Sequence, residues 1–88
     1  MKYYILFGDR FLSREEAYAY LARVFDFPSS FGANLDALWD VLTDIKDCEI
    51  EINNAREIPR LMGDYGLKML DLFGDLAKEG YMNVTINW

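Results

Sequence analysis

The spacing of apolar positions changes from segment to segment along the chain, and each change marks an element. Lys2 to Phe7 (KYYILF) is a continuous run of aromatic and branched residues, closed by Gly8-Asp9. Such a run predicts a strand buried on both faces, as in parallel sheets. Ser13-Arg14-Glu15-Glu16 has the form of a capping box, with Ser13 as cap and Glu16 reaching back. The helix it opens runs to about Phe25, with Ala17, Leu21 and Val24 on one face and Tyr18 and Tyr20 as packing residues. Phe27-Pro28 stops it, because a residue before proline is pushed out of helical space. Pro28 to Gly32 is then a loop.

The next stretch, Phe31 to Ile45, carries two stripes at helical period. Leu35, Leu38, Leu42 and Ile45 share one face, and Asp36, Asp40 and Asp44 recur every fourth residue on the opposite one. Trp39 lies between the faces, and Thr43 joins the acidic side. Asn34 supplies a side-chain acceptor for the first free amides of this helix. Beyond it, Asp47 to Asn53 contains the alternating strand Glu49-Ile50-Glu51-Ile52, and Asn53-Asn54 offer a turn. Ala55 to Met62 predicts a short helical piece interrupted at Pro59. The last helix starts at Asp64 or Tyr65, with Leu67, Leu70, Phe73, Leu76 and Ala77 inward, and Gly80 ends it in a left-handed stop. Tyr81 to Trp88 closes the chain as a strand, with Met82, Val84, Ile86 and Trp88 alternating. Helical connections of this length imply parallel neighbours. The pattern therefore predicts an α/β fold over residues 1–88: one domain, a three-stranded parallel sheet, and three to four helices packed against it.

Composition narrows the function. The chain has 88 residues, 52% hydrophobic and 16% aromatic, which excludes a disordered chain. Its net charge of −6 repels nucleic-acid phosphates and attracts basic partners. No histidine is present, which removes the Ser-His and Cys-His arrangements, the usual zinc ligands and the commonest acid–base group near neutral pH. The single cysteine, Cys48, beside a strand, predicts a buried inert thiol and fits a reducing cytosol. No secretory signal and no membrane-spanning run is expected, and Gly63 and Gly66 lack phosphate-loop spacing.

The constellation Asp36, Trp39 and Asp40, with Thr43 and Asp44 behind, is the candidate chemistry. Like charges four apart on a helix repel by roughly 0.2–0.5 kcal/mol per pair, so the acidic stripe works against the free helix. Two carboxylates stacked outside one helix form no cleft for sugar-bond hydrolysis and too few oxygens for a good cation site. No catalytic residue, metal or cofactor is therefore expected. A carboxylate accepts paired hydrogen bonds from arginine or lysine where a phosphate would, and an indole supplies rigid contact area. On the residues alone, three readings stay open: a merely solvated acidic face, a docking surface for a basic protein, and a small carboxylate enzyme.

The words Phe27-Pro28, Gly32, Asn34-Leu35-Asp36-Ala37-Leu38-Trp39-Asp40 and Leu42-Thr43 resemble the barstar family of intracellular ribonuclease inhibitors, and Phe73 and Ala77-Lys78-Glu79-Gly80 extend the likeness. The resemblance implies that this helix and the loop before it plug the active site of a secreted, basic, guanyl-specific (barnase-type) ribonuclease. Asp36, Trp39 and Asp40 match contact positions, with Asp40 as the phosphate mimic. Asp75 matches a position where the family has glutamate, and Glu79 another acidic one near the interface edge. Ser30 departs from a contacting tyrosine, Phe31 keeps the next aromatic, and Asp44-Ile45 replace a Gly-Trp pair. The implied protein is a cytoplasmic inhibitor, a monomer when free, that performs no chemistry and binds its partner through Ser30, Phe31, Asp36, Trp39, Asp40, Thr43, Asp44, Asp75 and Glu79. The alternative is an acidic adaptor or antitoxin for a basic protein that is not a nuclease.

Overall fold

In the computed structural model, which describes Met1 to Trp88, three strands form a parallel sheet in the order β1 (Lys2–Phe7), β2 (Cys48–Asn53), β3 (Asn83–Ile86). Helices α1 (Arg14–Phe25) and α2 (Leu35–Thr43) connect β1 to β2, and α3 (Glu57–Met62) and α4 (Asp64–Lys78) connect β2 to β3. The register stacks Tyr4, Ile50 and Val84 in one row and Leu6, Ile52 and Ile86 in the next, all on the face toward the core. Leu6, Ile50 and Ile52 are fully buried there with Phe11, Leu21, Leu38, Leu42, Ile58, Met69, Phe73 and Leu76. Both crossovers pass over this one face, and the expected α/β fold with a three-stranded parallel sheet is the one found.

Burial of β1 on both faces is not found. Tyr3, Ile5 and Phe7 remain 53%, 41% and 45% exposed on the outer face. The four helices all lie on the other side, so an apolar run alone does not tell a strand covered on both faces from one covered on a single face. The outer face is partly relieved by polar neighbours. Glu49 and Glu51 of β2 stand beside β1 in register, Asn83 and Thr85 lie one strand further on, and the Tyr3 hydroxyl donates to Glu51. That bond pushes the Tyr3 phenol above its ordinary value. On the free edge, the Tyr20 hydroxyl accepts from the Phe7 N–H at 3.0 Å.

The helix ends follow the sequence closely. The Ser13 hydroxyl accepts from the Glu16 N–H at 3.2 Å, and Gly80 takes a left-handed φ of 82°. Pro59 does not interrupt α3. It sits third in that helix, where an intrahelical N–H partner is not yet needed. The final strand is shorter than expected, with Trp88 outside it and exposed.

The rotation of α4 also differs. Leu67 is 47% exposed and Ala77 points outward, while Met69 and Leu72 join Leu70, Phe73 and Leu76 inside. The cause is Gly66. A Cβ there would lie 2.5 Å from the Ile58 carbonyl oxygen, so the bare glycine lets α4 press against α3. This contact sets which stripe of α4 faces the core. Cys48 is buried as expected, its thiol donating to the Met82 sulfur at 3.5 Å, and burial pushes that thiol up.

Candidate functional site

The site begins with the turn that launches α2. Pro28 to Phe31 is closed by a bond from the Phe31 N–H to the Pro28 carbonyl at 3.0 Å. The Phe31 ring lies 4.8 Å from Phe27 and 5.8 Å from Tyr18, centroid to centroid. Tyr18 is itself braced by a hydroxyl–hydroxyl bond to Tyr65, whose ring carries the Arg14 guanidinium at 4.4 Å. Phe31 therefore pins the loop to α1 and is half-buried, while Ser30 beside it is exposed. Ala33 adopts a left-handed φ of 50°, a conformation that costs a non-glycine residue about 1–2 kcal/mol. The reversal aims Asn34 at the helix, where its Oδ1 accepts from the Ala37 N–H at 2.7 Å.

Nine residues of α2 follow, shorter than the stretch to Ile45 that the apolar stripe suggests, because Asp44 already caps the helix. Leu38 and Leu42 are fully buried and hold the helix down. Asp36, Asp40 and Asp44 are all exposed. None has a cationic partner, since the chain's only ion pair joins Arg60 to Glu57. The arginine there holds the Glu57 carboxyl below its usual range. Thr43 turns back: its hydroxyl donates to the carbonyls of Trp39 at 2.8 Å and Asp40 at 3.2 Å. It thereby satisfies the end of its own helix rather than extending the acidic face.

Asp36, Trp39 and Asp75 come together across an open groove of about 300 Å³ between α2 and α4. Leu35 and Leu72 are its apolar lining, and Lys68 and Asp71 complete it. Trp39 is half-buried, edge-on to Tyr81 with centroids 5.5 Å apart. Asp40 and Asp44 lie on the exposed side of α2 outside the groove, and Glu79 caps the far end of α4, exposed. Sequence reasoning missed Lys68, Asp71 and Tyr81. The first two were within reach, since Lys68, Asp71 and Asp75 share one face of α4 at spacings of three and four.

What this arrangement can do chemically is accept cations. Three carboxylates line a groove with an apolar floor, two more stand beside it, and a rigid indole edges it. No group of three or more His, Cys, Asp or Glu side chains is placed to hold a metal ion. No helix is long and apolar enough to cross a membrane. No curated protein matches the chain as a relative. Residues 1–85 match the family described as Barstar (barnase inhibitor), a family of inhibitors and not of enzymes, and the chain belongs to that family.

Proposed function

We propose that this protein is a cytoplasmic inhibitor of a secreted, basic, barnase-type ribonuclease, monomeric when free, and that it blocks the enzyme by seating α2 in the active site. The observation that carries the reading is the unpaired acidic face of α2, held out by two fully buried leucines and continued across the groove by Asp71 and Asp75. A structural helix would mix signs on its wet face. Here the repulsion between Asp36, Asp40 and Asp44 is left unrelieved, and a basic partner would relieve it. Asp40 takes the place of a substrate phosphate, Asp36 and Asp75 receive a basic side chain at the groove, and Trp39 supplies the packed contact. Ser30, Phe31, Thr43, Asp44 and Glu79 form the surround, with Phe31 and Thr43 acting mainly by fixing the loop and the helix end.

The experiment is inhibition of barnase by the natural chain, by Ser30→Tyr and by Asp44→Gly, followed as RNA cleavage. The natural chain inhibits. Ser30→Tyr tightens inhibition, because an exposed serine at the loop tip gives no ring to stack on a base-recognition loop. Asp44→Gly leaves barnase inhibition unchanged or improved, because its carboxylate serves a different cognate enzyme. If barnase stays fully active with all three at any concentration, a basic partner that is not a nuclease becomes the better reading.

A further inference from the structure

The groove between α2 and α4 contains one group of the wrong sign for a purely cation-accepting surface. Lys68 is the only basic residue among its seven lining residues, opposite Asp36 and on the same face of α4 as Asp71 and Asp75. It is exposed, and with Arg60–Glu57 the chain's only ion pair, it is bonded to none of those carboxylates. Its ammonium is therefore free to meet whatever enters the groove.

We propose that Lys68 is a specificity-determining residue of this docking groove, selecting a basic ribonuclease that sets an acidic or neutral side chain, not a further base, against it. The proposal rests on the inhibitor reading and names a feature of the partner. Asp36, Asp71 and Asp75 reward any cation brought to the groove and so discriminate poorly among basic enzymes. A like charge pressed against Lys68 in a closed interface is repelled, and discrimination between similar partners comes from such repulsive elements as much as from attraction. An enzyme carrying a carboxylate at that point would instead complete a mixed pair of contacts, base to Asp36 and acid to Lys68.

The test uses barnase as the probe, with the natural chain, Lys68→Met and Lys68→Glu, and reads the dissociation constant. Lys68→Met keeps the apolar stem, and the exposed position lets both variants fold, which circular dichroism checks. Each unit of charge at contact distance is worth a factor of about five even at the dielectric of water. Lys68→Met is therefore expected to shift binding about fivefold, and Lys68→Glu, a change of two charges, roughly thirtyfold, tighter against a base of the enzyme and weaker against an acid. The differences shrink as salt rises, which a packing effect would not do. If the natural chain binds and all three forms agree within about twofold, the Lys68 assignment is overturned and the inhibitor reading stands; weaker binding by the variants marks an acidic group of the enzyme against Lys68 and supports the assignment. If no form binds, both fall. Binding by the variants alone supports Lys68 as the excluding group.

Discussion

Replacing Gly66 and Gly74 by alanine, one at a time, makes the same chemical change twice within α4 and is expected to move stability in opposite directions. Alanine in a helix interior is favoured over glycine by about 0.5–1 kcal/mol, through lost backbone freedom in the unfolded chain. At Gly74 a Cβ meets nothing within 4 Å, so the gain is kept in full. Gly74→Ala should raise the melting temperature by about 2–8 °C for a domain of this size. At Gly66 the new carbon would lie 2.5 Å from the Ile58 oxygen, 2.9 Å from its carbonyl carbon and 3.1 Å from the Met62 Cβ. Two of those atoms are backbone, so α3 and α4 must separate by several tenths of an ångström. Overpacking of this kind costs about 1–3 kcal/mol, and the small propensity gain in the first helical turn leaves a net loss of about 1–2 kcal/mol. Urea unfolding followed by circular dichroism measures both, with an unchanged slope required for a clean comparison. Equal stabilisation by the two variants would refute the claim that Gly66 fixes the rotation of α4. That claim matters for function, because the same rotation puts Leu72, Lys68, Asp71 and Asp75 in the groove.

Two further outcomes are expected. Leu38→Ala truncates a fully buried side chain of α2 and should cost about 2–5 kcal/mol in a denaturant titration, so a loss under about 1 kcal/mol would mean that α2 is not anchored through this residue. Burial, and then the bond to Tyr65, hold the Tyr18 phenol above its ordinary value of 10.0. The unfolded chain thus releases this proton first, so stability is level below about pH 10 and falls above it. Tyr18→Phe should flatten that alkaline fall in midpoints measured between about pH 8 and 11, and an unchanged fall would show that other groups cause it.

The elements were legible in the sequence because local chemistry fixes them. Asn34 and Ser13 cap where a side-chain acceptor precedes an apolar period, and Gly80 turns where a left-handed residue is needed. The alternation in β2 places Ile50 and Ile52 inward without ambiguity. What the sequence left open depends on how elements pack. KYYILF is apolar on both sides, and only the placement of every helix on one face makes its odd-numbered residues an open surface. The register of α4 was misjudged at Leu67 and Ala77 because a glycine with no side chain, Gly66, carries the contact that decides it. The acidic face of α2 was readable from three aspartates at intervals of four. Its continuation through Asp71, the intrusion of Lys68 and the brace from Tyr81 required α4 and the following turn to be set beside α2.

The central claim is that exposed carboxylates on α2 bind a basic ribonuclease while buried leucines on the same helix hold the fold. It is tested most directly by titrating barnase with the natural chain and with Asp40→Ala, recording residual RNA cleavage and the thermal unfolding of each inhibitor. Truncating one side of a desolvated charge pair costs about 2–5 kcal/mol, a range to which complexes of barnase and its own inhibitor contribute. Asp40→Ala is therefore expected to inhibit about thirtyfold less well or worse, with its unfolding temperature unchanged or slightly raised as repulsion with Asp36 and Asp44 is relieved. Inhibition by Asp40→Ala equal to that of the natural chain, or unfolding of the variant at room temperature, would contradict the account.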